Sequence, residues 1–292
     1  MDKEILRQLK EAETLFEQTE DREIKDLAKE EILRLRRQVD LTSPENQRNA
    51  VIEVRSGSGG DEAELFAGEL LRMYQRYSER QGWRVELVDK SGSELGGVKS
   101  ATMLVKSPQA YAALRFEGGV HRVQRVPKTE KSGRIHTSAA SVVVMPEAQD
   151  VDVHINPQDL RIDVYHSSGA GGQSVNTTDS AVRITHIPTG IVIACQDERS
   201  QLKNKEKAMA VLRSKLWEAA RAQQEQSMGD TRRAMIKSGD RGDKIRTYNF
   251  PQSRVTDHRI NKSWHNIDQI MDGAIEPVVE SLQEANIALA DS

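Results

Sequence analysis

An α+β protein of several domains is what this sequence predicts, and three observations carry that reading. Apolar residues recur at helical spacing through residue 39, and from residue 50 short alternating runs take over between helical stretches. A glycine-rich segment at residues 169–172 lies between two alternating runs, the pattern of a loop held at the ends of two strands. At 292 residues, 37% hydrophobic and 30% charged, the chain has length for two to four domains and too much polar surface for one thick core.

Taken in order, Ile5, Leu9, Ala12 and Phe16, then Ile24, Leu27, Ile32 and Leu35, mark a helical hairpin broken near residues 19–21. Dense Glu, Lys and Arg make it a solvated pair with one core-facing stripe and no chemistry of its own. Residues 41–46 read as a linker. Residues 50–55 form a strand, and Gly57-Ser58-Gly59-Gly60 turns into a helix whose Ala63, Phe66, Leu70, Met73, Tyr74 and Tyr77 share one face. Asp61 and Glu62 suit the dipole at that helix start. Strands follow at 83–89, 98–105, 121–126 and 135–144, with a short helix at 109–115 and a loop at 127–133 that has the necessary proline and glycine. Strands at 160–166, 180–186 and 191–195 surround the glycine segment, and a long helix runs from 199 to 226. Residues 227–243 are expected to be mobile. Two short strands flank Phe250-Pro251, and residues 268–289 are helical.

Net charge is −3, so bulk charge does not point to nucleic acid, but its distribution is uneven. Between residues 115 and 134 six basic side chains face two acidic ones, and Gln124, Thr129, His136 and Thr137 can hydrogen-bond base edges. Charge alone leaves a solvated hairpin equally open. The helix after Arg199 carries seven basic residues, Lys203, Lys205 and Lys207 among them, against two acidic ones through Arg221; it suits an RNA backbone or plain solvent. Cys195 is the only cysteine, which excludes an intrachain disulfide and fits a reducing cytosol. The seven histidines show no ligand spacing, so neither a metal nor a cofactor is expected. No phosphate-binding glycine fingerprint occurs. Charges at the N-terminus and the lack of a long apolar run predict a soluble cytoplasmic protein with no membrane partner. His166, Ser167 and Ser168 are adjacent, but no acid completes a hydrolytic triad.

Gly171-Gly172-Gln173 alone identifies little, since it arises by chance in roughly one chain in twenty of this length. Its setting, HSSGAGGQSVNTTDSAVRITHIPTG over residues 166–190, is more specific. So are AVIEVRSGSGGDEAELFAGELLRMY (50–74), EGGVHRVQRVPKTEKSGRIHTSAASVVVMPE (117–147) and IRTYNFPQSRVTDHRIN (245–261). These four blocks, in this order, resemble the bacterial-type peptide chain release factor 1 family, the Pro-x-Thr branch of the class I release factors. The resemblance covers residues 45–292.

It implies a translation termination factor that recognises UAA and UAG in the ribosomal A site and triggers hydrolysis of the peptidyl-tRNA ester. Such a protein is a ribosome-dependent release factor rather than a free-standing enzyme. Its codon-reading tripeptide is Pro127-Lys128-Thr129, with Lys128 where many members carry a small or apolar residue. Gly59 and Glu62 would contact the first base, Thr129 the first and second, His136 would stack on the second, and Gln124 and Thr137 would read the third. Catalysis would fall to Gly171, Gly172 and Gln173: the Gln173 backbone N–H stabilises the developing oxyanion, and the glycines permit the conformation that aims it. The Gln173 side chain would narrow the space to a water and be the target of a glutamine methyltransferase. Arg199, Lys203, Lys205 and Lys207 would contact rRNA. The implied domains are a helical one at 1–44, codon recognition at 45–147, hydrolysis at 148–240, and a segment at 241–292 that packs on the codon domain. Family members carry a longer N-terminal helical region than the 50 residues here, so engagement of a recycling GTPase is open for this chain. The alternatives are a codon-independent ribosome-rescue peptidyl-tRNA hydrolase and a non-enzymatic RNA-binding module.

Overall fold

The structure, a computed structural model, describes residues 3–44, 46–93, 96–127, 130, 133–148, 154–165, 180–198, 200–236 and 241–289. It is a mixed α+β fold in two compact units, residues 1–148 with 231–292, and residues 149–230.

In the first unit, α1 (Lys3–Gln18) and α2 (Arg22–Thr42) form the expected hairpin. Asp21 caps α2, its carboxylate accepting from the Glu23 N–H at 2.9 Å. Leu41 and Thr42, read from sequence as linker, belong to α2. Asp40 in that last turn accepts from Arg115 at 2.6 Å, a tertiary contact that extends the helix. Then come β1 (Ala50–Ser56), α3 (Asp61–Arg80), β2 (Arg84–Gly92), β3 (Val98–Lys106), α4 (Ala110–Leu114), β4 (Gly119–Arg125) and β5 (His136–Pro146). The predicted apolar face of α3 is buried throughout and packs on Ile52 and Val54 of β1, Met103 and Val105 of β3, and Val142 and Val144 of β5.

The second unit is the antiparallel sheet β6 (Leu160–Tyr165), β7 (Ala181–His186) and β8 (Ile191–Cys195), with helix α5 (Gln201–Ile236). Within this unit Ala208, Leu212 and Leu216, one turn apart, pack on Val182, Ile184 and Ile193. The helix does not stop at 226. Ser227, Gly229 and Asp230 resemble loop residues, yet α5 continues to Ile236, where Arg232 in the first unit donates to Glu53 at 3.1 Å. Residues 241–243 form one 3-10 turn, so of the stretch expected to be mobile only residues 237–240 lie outside the described residues.

The chain then returns to the first unit as β9 (Lys244–Asn249), β10 (Arg254–Asp257), β11 (Lys262–His265), α6 (Ile267–Met271) and α7 (Glu276–Leu289). These strands complete one eight-stranded sheet in the order β11-β10-β9-β4-β5-β1-β3-β2. Its one parallel pair is β4 with β9. The sequence did not suggest β11, and it merged α6 with α7. Gly273 separates them with φ +95°, and a Cβ there would come within 2.7 Å of the Tyr77 backbone nitrogen on α3.

A buried polar network holds β9 and β10 in place. Arg246 donates to both Glu117 oxygens at 2.6 and 2.7 Å and to Asp257 at 3.1 Å. Arg259 also donates to Asp257, and Tyr74 of α3 donates to Glu117 at 2.9 Å. His121 lies between the Tyr248 hydroxyl, 3.2 Å away, and the Glu117 carbonyl, 2.9 Å away. Burial opposes charge on Glu117, but Arg246 outweighs it, and the carboxyl sits below the ordinary carboxylate range. Burial, with Arg246 adding to it, pushes the His121 imidazole down to about 4.

Replacing Arg246 by Met should strand the Glu117 carboxylate and cost about 3–5 kcal/mol, read as a fall in the denaturation midpoint. The acid response follows from His121. An unfolded imidazole takes its proton near its ordinary value of 6.5, whereas the folded one stays neutral to about 4. Folding stability should therefore drain as pH falls from about 6.5 to about 4, with no further loss from this group below that. Thermal unfolding of His121→Gln over the same interval should show a shallower decline than the parent.

Candidate functional site

One group of singled-out residues gathers at the end of β4 and β5. The loop after β1 lies along the start of β5: the Gly57 N–H donates to the Ala139 carbonyl and the Ala139 N–H to the Ser58 carbonyl, both at 2.9 Å. Gly59 has φ +137°, and a Cβ on it would overlap the Ser138 hydroxyl and sit 2.5 Å from the Ser138 Cβ. Only glycine meets both demands. Glu62, in the first turn of α3, is buried rather than presented to solvent. Its Oε1 accepts from Arg125 Nε at 2.6 Å, while Arg125 Nη1 donates to Glu69 at 2.6 Å. The Arg125 guanidinium also covers the Phe250 ring, 4.9 Å from its centroid. Burial weighs against the Arg125 charge, but Glu69 and Glu62 outweigh it. Glu62 Oε2 is buried and makes no hydrogen bond.

Strand pairing sorts the remaining residues by face. Gln124 lies opposite Thr137, so their side chains share one face, and Gln124 Oε1 accepts from Asn249 at 3.4 Å. His136 lies opposite Arg125, at the end of the ladder on the face toward α3, with Nε2 2.8 Å from Glu130. Beyond the strand ends, the Glu130 N–H donates to the Pro127 carbonyl at 3.1 Å. Lys128 and Thr129 lie outside the described residues. Gly59, Glu62, Gln124, Pro127, His136 and Thr137 are thus brought together around the end of β4 and the start of β5. Arg125, which orients Glu62, was missed as a functional residue because its sequence reads as one more basic side chain.

The other group belongs to the second unit. Tyr165 opposite Ala181 is the last pair between β6 and β7, so residues 166–179 connect two strands that end side by side. Gly171, Gly172 and Gln173 are in that connection, outside the described residues, as is Arg199. Just beyond it, fully buried Asn204 of α5 donates to the Ser180 carbonyl at 2.8 Å and the Glu198 carbonyl at 2.7 Å, and accepts from the Glu198 N–H at 3.0 Å. Asn204 therefore fastens the start of β7 to the helix. Its one signal in the sequence is the four-residue spacing to Ala208, Leu212 and Leu216. Lys203, Lys205 and Lys207 are exposed on α5, and Lys207 pairs with Asp197 at 2.5 Å. Among the described residues no cluster of three His, Cys, Asp or Glu could hold a metal ion, and no helix is long and apolar enough to cross a membrane.

Residues 2–142 match the family model of the PCRF domain, and residues 149–259 that of the RF-1 domain. Peptide chain release factor 1 of Anaeromyxobacter dehalogenans is 53% identical over 272 residues, covering 89% of this chain and 74% of the relative. The chain belongs to the peptide chain release factor family. Peptide chain release factor 1 of Clostridium acetobutylicum is likewise 53% identical, over 98% of this chain and 80% of the relative. Among solved structures, RF2 of Thermus thermophilus superposes with a TM-score of 0.57 at 38% identity, covering 98% of this chain and 84% of that one. As a release factor the chain is a translation termination factor, acting with the ribosome, a stop codon and peptidyl-tRNA.

Gly59→Ala should destabilise the first unit by about 1–3 kcal/mol, through positive φ and the Ser138 overlap together. Adding Ser138→Gly removes the overlap but not the strain, so denaturation midpoints should show only partial recovery.

Proposed function

We propose that the release factor reads UAA and UAG, and that Gly171-Gly172-Gln173 carries out the hydrolytic step. The observation that supports codon reading most directly is the in-register pair Gln124 and Thr137, one strand over from the Gly59 loop and one turn short of Pro127. In this reading Gly59 and Glu62 meet the first base, Thr129 the first and second, His136 stacks on the second, and Gln124 and Thr137 read the third. Both Glu62 oxygens are buried, one held by Arg125 and one without a hydrogen bond, so contact with the first base requires the carboxylate to turn outward. Pro127-Lys128-Thr129, the Pro-x-Thr form of the tripeptide, supports UAG over UGA.

Hydrolysis of the ester needs a placed water and a donor for the developing oxyanion. The Gln173 backbone N–H is that donor, and its side chain limits the space to a water. Gly171 and Gly172 supply φ values that a Cβ would penalise. Lys203 and Lys205, exposed on either side of Asn204, suit the rRNA backbone, together with Arg199 and Lys207. Residues 1–44 then act as the helical domain, 45–147 with 241–292 as the codon-recognition domain and 148–240 as the hydrolysis domain. The Gln173 side-chain amide nitrogen is the acceptor for N5-methylation by a glutamine methyltransferase, a recycling GTPase is a further partner, and the site of action is the cytoplasm.

Peptide release from ribosomes programmed with UAA, UAG, UGA or a sense codon tests this. Release is expected on UAA and UAG alone; equal release on UGA or on sense codons refutes it. In the same assay Gly172→Ala should lower release about a hundredfold or more while ribosome binding persists.

A further inference from the structure

Beyond the codon residues, the sheet carries a second polar feature. On the face shared by Gln124 and Thr137, strand pairing continues the same row through Asn249 of β9 and Arg254 of β10 to His265 of β11. The opposite face at these strands is core, with Val123, Tyr248 and Val255 buried and Trp264 packed against them. The polar row, Thr137, Gln124, Asn249, Arg254 and His265, is half-buried to exposed and contains no carboxylate, an arrangement that packing of the sheet does not require. One row away, Arg122 shares this face. Burial lowers its pKa and no carboxylate counters the effect, and the Nε atoms of Arg122 and Arg254 are both buried without a hydrogen bond. Arg254 Nη2 donates to the neutral Gln252 Oε1 at 2.7 Å, so among the described residues neither arginine is paired with a carboxylate, and guanidinium charge on this face suits an anion.

Placement follows from strand order. The third-base pair Gln124 and Thr137 spans β4 and β5, and on the same face β9 and β10 come next. The step from β4 to β10, two strands over, is about 10 Å, within reach of a short single-stranded segment.

We propose that Asn249, Arg254 and Arg122 bind the mRNA on the 3′ side of the stop codon, Asn249 at a base edge and the arginines at phosphates. This deepens the codon-reading function and rests on it. The row would make affinity depend on RNA that the codon residues never touch, and guanidinium forks suit phosphate oxygens better than point charges do.

The test is the half-saturating factor concentration for peptide release on two UAA mRNAs, one ending at the stop codon and one extended by six nucleotides. The unmodified chain should need at least about fivefold less factor on the extended mRNA. Arg254→Ala should bring that ratio near one, with Arg254→Lys between the two. On the extended mRNA the salt dependence of the Arg254→Ala variant should weaken by about 0.7 in log–log slope for one lost phosphate contact. A ratio near one for the unmodified chain overturns the proposal. So does an Arg254→Ala variant that keeps the parental ratio, including one weakened equally on both mRNAs, because its contact then lies elsewhere. Thermal midpoints report whether the variants fold. Failure of the codon reading shows separately, as release by the unmodified chain on sense codons, whatever the ratio.

Discussion

Arg246, buried between Glu117 and Asp257, is the interaction on which the first unit depends. A guanidinium taken out of water costs several kcal/mol unless its charge is met and its donors are used, and a carboxylate left alone in the same place costs as much. Here the three groups come from β9, the turn before β4 and β10, and Tyr74 of α3 joins through Glu117. None of these elements can leave without stranding a charge from another. The network therefore acts as a lock on register more than as a source of net stability, and it explains how a segment arriving after the whole second unit finds one position beside β4.

That lock reaches the functional edge of the sheet. With β9 parallel to β4, Tyr248 lies beside Val123 in the core and Asn249 beside Gln124 on the other face. Phe250 then falls under Arg125, which in turn holds Glu62 at the start of α3. The chain of contacts runs from a buried salt bridge, through one strand pairing, to the Glu62 carboxylate proposed to meet the first base. In the second unit Asn204 has a comparable place, tying the residue before β7 to α5 with all four of its amide hydrogen-bonding capacities engaged. Both sites are held by polar groups that are themselves buried, so their geometry depends on satisfied hydrogen bonds rather than on apolar packing alone.

Much of the fold was legible because periodicity is a local property. The six apolar residues of α3 recur at helical spacing and all six are buried, and β1, β3, β4 and β5 begin and end within two residues of their expected bounds. Lys262–His265 escaped notice because a four-residue edge strand with one large apolar side chain, Trp264, has no period to detect. The break between α6 and α7 escaped because Gly273 looks tolerable in a helix until α3 passes within contact of it. The extension of α5 past Ser227 went unseen for a similar reason, since Glu53 is far away in the chain.

What residue types and their spacing decided was the family: three glycines within four positions, a glutamine between them and a serine, and a Pro-x-Thr tripeptide flanked by basic residues. Those properties belong to short segments and survive in any arrangement of the rest. Which charges are buried, which are paired and which remain unmatched was decided by the tertiary structure alone. Gln124 and Asn249 are 125 residues apart, and only the register of a parallel strand pair makes them neighbours. Glu62 reads in the sequence as an exposed helix-dipole acid and becomes a buried ion pair once Arg125 crosses above it. Solvation, which sets the energy of every charge, depends on what lies overhead, and no local pattern encodes that.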